Sequence, residues 1–183
     1  NKQLYSWGNN SKRQIGLTPE SYIYPPEVIN GIENVDAVAV GKEHTMVVCG
    51  SKIYTVGSSS NGRLGRTGNY DNFLPISLAD NGRSFCSISA GGSHSLAVRS
   101  DGSVFTWGNN SDGQAVGSAA SYTTPTEITS SFYHSAVNTP ERLSVNREYS
   151  TVLGKGSTVY YGNFNVQYGG LYQIAPTGDA GVV

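Results

Sequence analysis

One feature of the chain outranks the others: it repeats itself about every fifty residues. An aromatic or apolar residue followed by glycine occurs at Trp7-Gly8, Val56-Gly57, Trp107-Gly108 and Tyr161-Gly162, with the glycines 49, 51 and 54 residues apart. Six residues after Gly8, Gly57 and Gly108 stand Gln14, Arg63 and Gln114. Prolines keep the same beat, at Pro26, Pro75, Pro125 and Pro176. A third marker precedes the aromatic-Gly pair. Gly41-Lys42-Glu43-His44-Thr45 matches Gly91-Gly92-Ser93-His94-Ser95, and Asn146-Arg147-Glu148-Tyr149-Ser150 is a degenerate copy. Such a period marks a supersecondary unit that cannot bury its apolar faces alone and must stack on its neighbours.

Each unit reads as β-structure. Val38 and Val40, Met46 and Val48, Ile53 and Thr55 alternate with period two, and Ile88, Leu96, Val98, Val104 and Thr106 repeat the pattern. Asp101-Gly102 supplies a tight hairpin between two such runs, and Gly50-Ser51 and Gly154-Lys155-Gly156 fill the same slot elsewhere. Asn61-Gly62 and Asp112-Gly113 suit turns that need positive φ. Proline cannot donate to a central ladder, so Pro26, Pro75 and Pro125 belong at strand entrances or sheet edges. The expected unit is an antiparallel sheet of about four short strands, and stacking such sheets face to face gives a propeller or a solenoid.

These residues resemble the regulator of chromosome condensation repeat. His94-Ser95, Ser103 to Asn109 and Asp112 to Gly117 carry the likeness best. The resemblance implies an all-β fold of β-propeller blades, about three and a half four-stranded antiparallel blades in residues 1–183. That is a partial propeller unless missing sequence or a second copy completes it. The units fall at 1–34 (a partial first blade), 35–84, 85–140 and 141–183, the last a degenerate copy, within one repeat domain. A half ring would expose strand edges and wide apolar faces, so the expectation is a fragment of a longer protein, with self-association to close the ring as an alternative.

The periodic residues are read as structural. His44 and His94 are expected at blade junctions, and Trp7 and Trp107 between blades. Gly8, Gly57, Gly108 and Gly162 mark the strand that carries them. Cys49 and Cys86 are expected to stay unbonded, two cysteines being too few for a disulfide scaffold. Asn9-Asn10-Ser11 and Asn109-Asn110-Ser111 are glycosylation sequons but also the repeat's ordinary turn. Lys12, Arg13, Arg63 and Arg66 fall in equivalent turns and are read as a solvated rim. No phosphate loop, nucleophile elbow or zinc-protease motif is present, so no catalytic, cofactor-binding or metal-ligating residue is assigned, and no enzyme activity is expected.

A net charge of −1, with charged residues only 14% of the chain, disfavours nucleic acid as a partner, and no apolar run is long enough for a membrane span. The expected partner is a protein. The expected function is a non-enzymatic macromolecular interaction module or structural scaffold. The resemblance adds guanine-nucleotide exchange on a small GTPase, and the Asn-, Ser-, Gly- and Tyr-rich, weakly charged composition adds a structural subunit of an extracellular or virion assembly. Candidate partner contacts are residues that break the pattern and are expected in loops between units, namely Tyr22, Tyr24, Tyr70, Phe73, Tyr122, Phe132 and Tyr133.

Overall fold

The computed structural model describes residues 2–17, 22–79, 81–111, 114 and 119–128, the side chains of residues 23 and 24 excepted. Beyond these it describes the strand backbones 140–145, 149–154, 159–163 and 170–174. Gly162 is therefore described by its backbone alone, and Phe132, Tyr133 and His134 lie outside the described residues.

Fourteen strands occur among the described residues. β1 (Gln3–Asn9) and β2 (Tyr22–Glu33) form a two-stranded antiparallel sheet. Three four-stranded sheets follow, each a meander in chain order. The first holds β3 (Ala37–Val40), β4 (His44–Cys49), β5 (Lys52–Gly57) and β6 (Leu74–Pro75). The second holds β7 (Phe85–Ala90), β8 (His94–Arg99), β9 (Val104–Asn109) and β10 (Ser121–Glu127). The third holds β11 (Pro140–Val145), β12 (Tyr149–Gly154), β13 (Val159–Asn163) and β14 (Gly170–Ile174). The three repeat prolines among these residues lie in β2, β6 and β10, each at a sheet edge where a missing N–H costs no ladder bond.

The hairpins form as the turn chemistry dictates. Gly50 and Gly102 take φ of 61° and 88°, the left-handed region that glycine enters at no steric cost. At the β8–β9 turn Asp101 accepts a bond from the Ser103 amide at 3.0 Å and from the Arg99 Nε at 3.2 Å. Burial alone would raise the Asp101 pKa, but the bonds from Ser103 and Arg99 outweigh it and hold the carboxyl at about 2.

The alternation in the sequence does not separate a core face from a wet face. β4 and β8 are buried on both, because each sheet is sandwiched between two others. Val47 of β4 packs with Leu4, Ile29 and Ile32 of the β1–β2 unit. On the opposite face Met46, Val48 and Ile53 pack with Phe85, Ala97, Phe105 and Trp107 of the next sheet. Each junction is thus a separate apolar layer, and stacking rather than any single sheet supplies the core. Val38 and Val40 of β3 depart from this. They are exposed, Val40 at 67%, because their flank faces the open side of β1.

Candidate functional site

The blade junction is built by a relay of repeat residues. His44 opens β4 opposite Gly57, and His94 opens β8 opposite Gly108. Gly57 and Gly108 have φ of 114° and 101°. A Cβ on Gly57 would lie 2.9 Å from the His44 Cα, and one on Gly108 would lie 2.6 Å from the His94 Cα. Glycine is thus required twice over, for backbone conformation and for the closeness of the histidine strand.

His44 then reaches across to the following blade, where its Nε2 stands 2.8 Å from Ser95 Oγ. The Ser95 hydroxyl donates to the Arg63 carbonyl at 3.1 Å, which makes Nε2–H the donor in the first bond. Trp107 Nε1 also donates to the Arg63 carbonyl, at 2.9 Å, so that oxygen accepts two bonds. One blade earlier the Thr45 hydroxyl donates to the Gln14 carbonyl at 2.6 Å. Both histidines are fully buried. Burial first, then the nearby Arg63 charge and His94, lowers the His44 pKa to about 3, and burial lowers His94 to about 4. His44 Nδ1 is buried without a hydrogen-bond partner, so the neutral ring leaves one lone pair unsatisfied, where a protonated ring would strand a charged N–H.

Several sequence expectations need correction. Trp107 is fully buried at its junction, but Trp7 at the same repeat position is 59% exposed, because no described strand pairs with the other edge of β1. Arg63 is not part of a solvated rim. It is buried, donates to the Ser60 carbonyl at 2.9 Å and forms an ion pair with Glu43 at 2.8 Å. Arg13 pairs with Asp71 at 3.3 Å, and Arg66 donates to the Thr55 carbonyl at 2.7 Å and to the Asn69 carbonyl, so these cations brace loops.

Phe73 is not a free contact either. It packs with the Leu4 cluster and lies against Gly16, where a Cβ would come 2.6 Å from its ring. Trp107 stands in the same relation to Gly65. The second blade has Val56 where the third has Trp107, and Phe73 fills the space that an indole takes one blade later. Tyr22, Tyr24 and Tyr122 are not in loops. The first two belong to β2, and Tyr122 lies in β10 and packs partly buried against the core between the second and third blades. Cys49 and Cys86 are free thiols. Asn9 and Asn109, the sequon asparagines, accept bonds from the Ser11 and Ser111 amides and so form Asx turns.

The strand pairing reveals a row that spacing in the sequence concealed. Tyr22 pairs opposite Asn9, Tyr70 accepts a bond from the Gly57 amide through its carbonyl, and Tyr122 pairs opposite Gly108. Tyr122 thus stands opposite its repeat glycine, Tyr70 is bonded to its own, and Tyr22 lies opposite the residue after Gly8, all at one end of three consecutive blades. Tyr22 and Tyr70 are exposed. No cluster of three or more His, Cys, Asp or Glu side chains that could hold a metal occurs among the described residues.

Consecutive four-stranded antiparallel blades, locked by a histidine–hydroxyl–carbonyl relay between neighbours, define an all-β repeat protein of propeller type. The regulator of chromosome condensation (RCC1) repeat matches residues 2–48 and 51–98, and a second form of that repeat matches 85–114. The chain belongs to the RCC1 repeat family. Over 119 residues it is 36% identical to the X-linked retinitis pigmentosa GTPase regulator of Canis lupus familiaris, covering 62% of this chain and 12% of that protein. Over 130 residues it is 35% identical to the ultraviolet-B receptor UVR8 of Arabidopsis thaliana, covering 68% and 30%. It thus spans well under half the length of these relatives.

Among solved structures, human WBSCR16 superposes with a TM-score of 0.74 at 22% identity, over 87% of this chain and 42% of the other. Prp20p of Saccharomyces cerevisiae, described with its binding properties to Gsp1p and histones, superposes with a TM-score of 0.72 at 18% identity, over 88% and 42%. At these identities the likeness shows the shared propeller fold.

Proposed function

We propose that the chain is a protein-interaction module whose blades present Tyr22 and Tyr70 on a binding rim. The observation that carries this reading is the exposure of Tyr22 and Tyr70 at one end of successive blades, while Tyr122 and the periodic His, Trp107 and hydroxyl side chains are taken up by blade stacking. Tyrosine offers a large contact area with few rotors and a polar tip, and aromatic residues are enriched where proteins meet. Fewer than about a third of interface residues cost more than about 1 kcal/mol when truncated, and the hot spots that exceed about 2 kcal/mol are enriched in Tyr, Trp and Arg. The test is a purified partner, identified by cross-linking in the native source and titrated against the chain by calorimetry. Tyr22→Ala with Tyr70→Ala should weaken it at least tenfold and leave urea unfolding unchanged. Undiminished affinity would reject the rim.

A second reading is favoured by the company the chain keeps. One relative is named a GTPase regulator, and Prp20p is described with its binding to Gsp1p. On this reading the partner is a small GTPase whose nucleotide exchange the rim accelerates. A release assay with fluorescent GDP on that GTPase tests it, and a rate equal to the spontaneous one rejects it while leaving binding intact as a separate result.

A further inference from the structure

The turn after the repeat glycine is tied down differently in the second blade. In the first blade Asn10, two residues after Gly8, is buried. It accepts a bond from the Ile15 amide at 3.1 Å and donates to the Leu17 carbonyl at 2.6 Å. In the third blade Asn110, two residues after Gly108, is buried and donates to the Ala119 carbonyl at 2.7 Å. The second blade has Ser59 at this position, a side chain too short to span such a turn. Its outer strand is short as well. β6 holds two residues, whereas β2 holds twelve and β10 seven. Tyr70 therefore lies outside any strand, while Tyr22 and Tyr122 are held by ladders.

Arg66 takes over both tasks. It stands nine residues after Gly57, where the first blade has Leu17 and the third Gly117. Its Nε donates to the Thr55 hydroxyl at 3.1 Å, and that hydroxyl donates onward to the Leu64 carbonyl at 2.9 Å. Its Nη2 donates to the Thr55 carbonyl at 2.7 Å and to the Asn72 carbonyl at 3.2 Å, and its Nη1 donates to the Asn69 carbonyl. One planar fork thus ties β5 to the loop on both sides of Tyr70, a geometry that a lysine ammonium does not reproduce. The Gly57 amide holds the Tyr70 carbonyl at 3.1 Å, Asp71 meets Arg13 of the preceding blade, and Phe73 is seated against Gly16. The loop is fixed at every one of these points, yet residues 67–70 are exposed.

We propose that Arg66 is a positioning residue for the Tyr70 contact. It stands in for the repeat asparagine and for the missing ladder, and it holds an exposed loop in the shape that a partner protein meets. This role rests on the rim formed by Tyr22 and Tyr70. A loop ordered before the encounter loses little further freedom in it, so Arg66 raises affinity without itself touching the partner.

The experiment measures amide exchange and binding on the complete 183-residue chain, with the partner purified for the Tyr22 and Tyr70 titration. The amides to follow are Gly57, bonded to the Tyr70 carbonyl, and Asp71, bonded to the Asn69 side chain. Arg66→Ala should speed their exchange at least tenfold, leave β4 and β8 as slow as before, and weaken binding about tenfold. Ser59→Asn combined with Arg66→Leu, which copies Asn10 and Leu17 of the first blade, should restore both slow exchange and affinity. Unchanged exchange in Arg66→Ala, or no recovery in the double variant, overturns the proposal. So does a loosened loop that binds with full affinity while Tyr70→Ala binds weakly, a result that removes the positioning role and leaves the rim. Full affinity in Tyr70→Ala would instead remove Tyr70 from the rim, and the positioning role with it.

Discussion

Acid should loosen this protein through two histidines before it reaches the carboxylates. His44 and His94 are neutral in the fold, with pKa values of about 3 and about 4, whereas an imidazole in the unfolded chain titrates near 6.5. As pH falls through 6.5 the unfolded chain takes up protons that the folded chain refuses, so stability declines with acid. Between pH 7 and pH 5 each histidine contributes about 2 kcal/mol of loss, about 4 kcal/mol together, with the loss continuing toward the folded values. Asp101 does not interfere. Its folded value of about 2 lies below the usual 3.8, so its contribution is present above 3.8 and lost only below it. Urea unfolding at pH 7, 6 and 5, followed by tryptophan fluorescence, gives the free energies by linear extrapolation. The His44→Gln, His94→Gln double variant is less stable at pH 7 but should lose well under about 1 kcal/mol over the same range. A wild-type chain equally stable at pH 7 and pH 5, or a variant with the wild-type slope, would refute the assignment of buried neutral imidazoles.

Two more outcomes follow from the contrast between equivalent positions. Trp107→Ala should cost about 3–5 kcal/mol by opening the junction and leaving the Arg63 carbonyl one donor short, whereas Trp7→Ala should stay within about 0.5 kcal/mol in the isolated chain. Chemical denaturation of both variants checks the pair. Gly8→Ala meets only the cost of a left-handed backbone, about 1 kcal/mol, while Gly57→Ala also drives a methyl into the His44 strand and should cost more than about 2 kcal/mol. Thermal melts compared side by side would show the difference, and equal losses would mean that the histidine strand does not press on Gly57.

Much of the fold was legible because repeated turns and repeated burial leave repeated residues. The aromatic- or apolar-Gly pair, the Gly-x-x-His run and the edge proline each answer to one local geometry; the pair and the proline recur in the first three units, and the histidine run in the second and third. The exposure of Trp7 was not legible. Its sequence environment copies that of Trp107, and only the unpaired edge of β1 separates them. Arg63 and Glu43 were visible as two separate departures from the repeat. That they answer each other, an arginine in place of glutamine and a glutamate in place of a small residue, follows only from their meeting across twenty residues. Phe73 shows the same limit. It replaces an absent indole from a loop, where periodicity has nothing to say. The tyrosine row was hidden because the distance from tyrosine to proline varies between blades, while strand pairing and one backbone bond bring all three to within a residue of their glycines.

The claim beneath these predictions is that neighbouring blades are bonded through repeat side chains rather than merely adjacent. A double-mutant cycle on His44→Ala and Ser95→Ala, residues 51 apart in sequence and 2.8 Å apart in space, tests it most directly. The account predicts a coupling energy of about 1 kcal/mol or more, because the two side chains share one buried bond. Losses that add to within about 0.3 kcal/mol would contradict it.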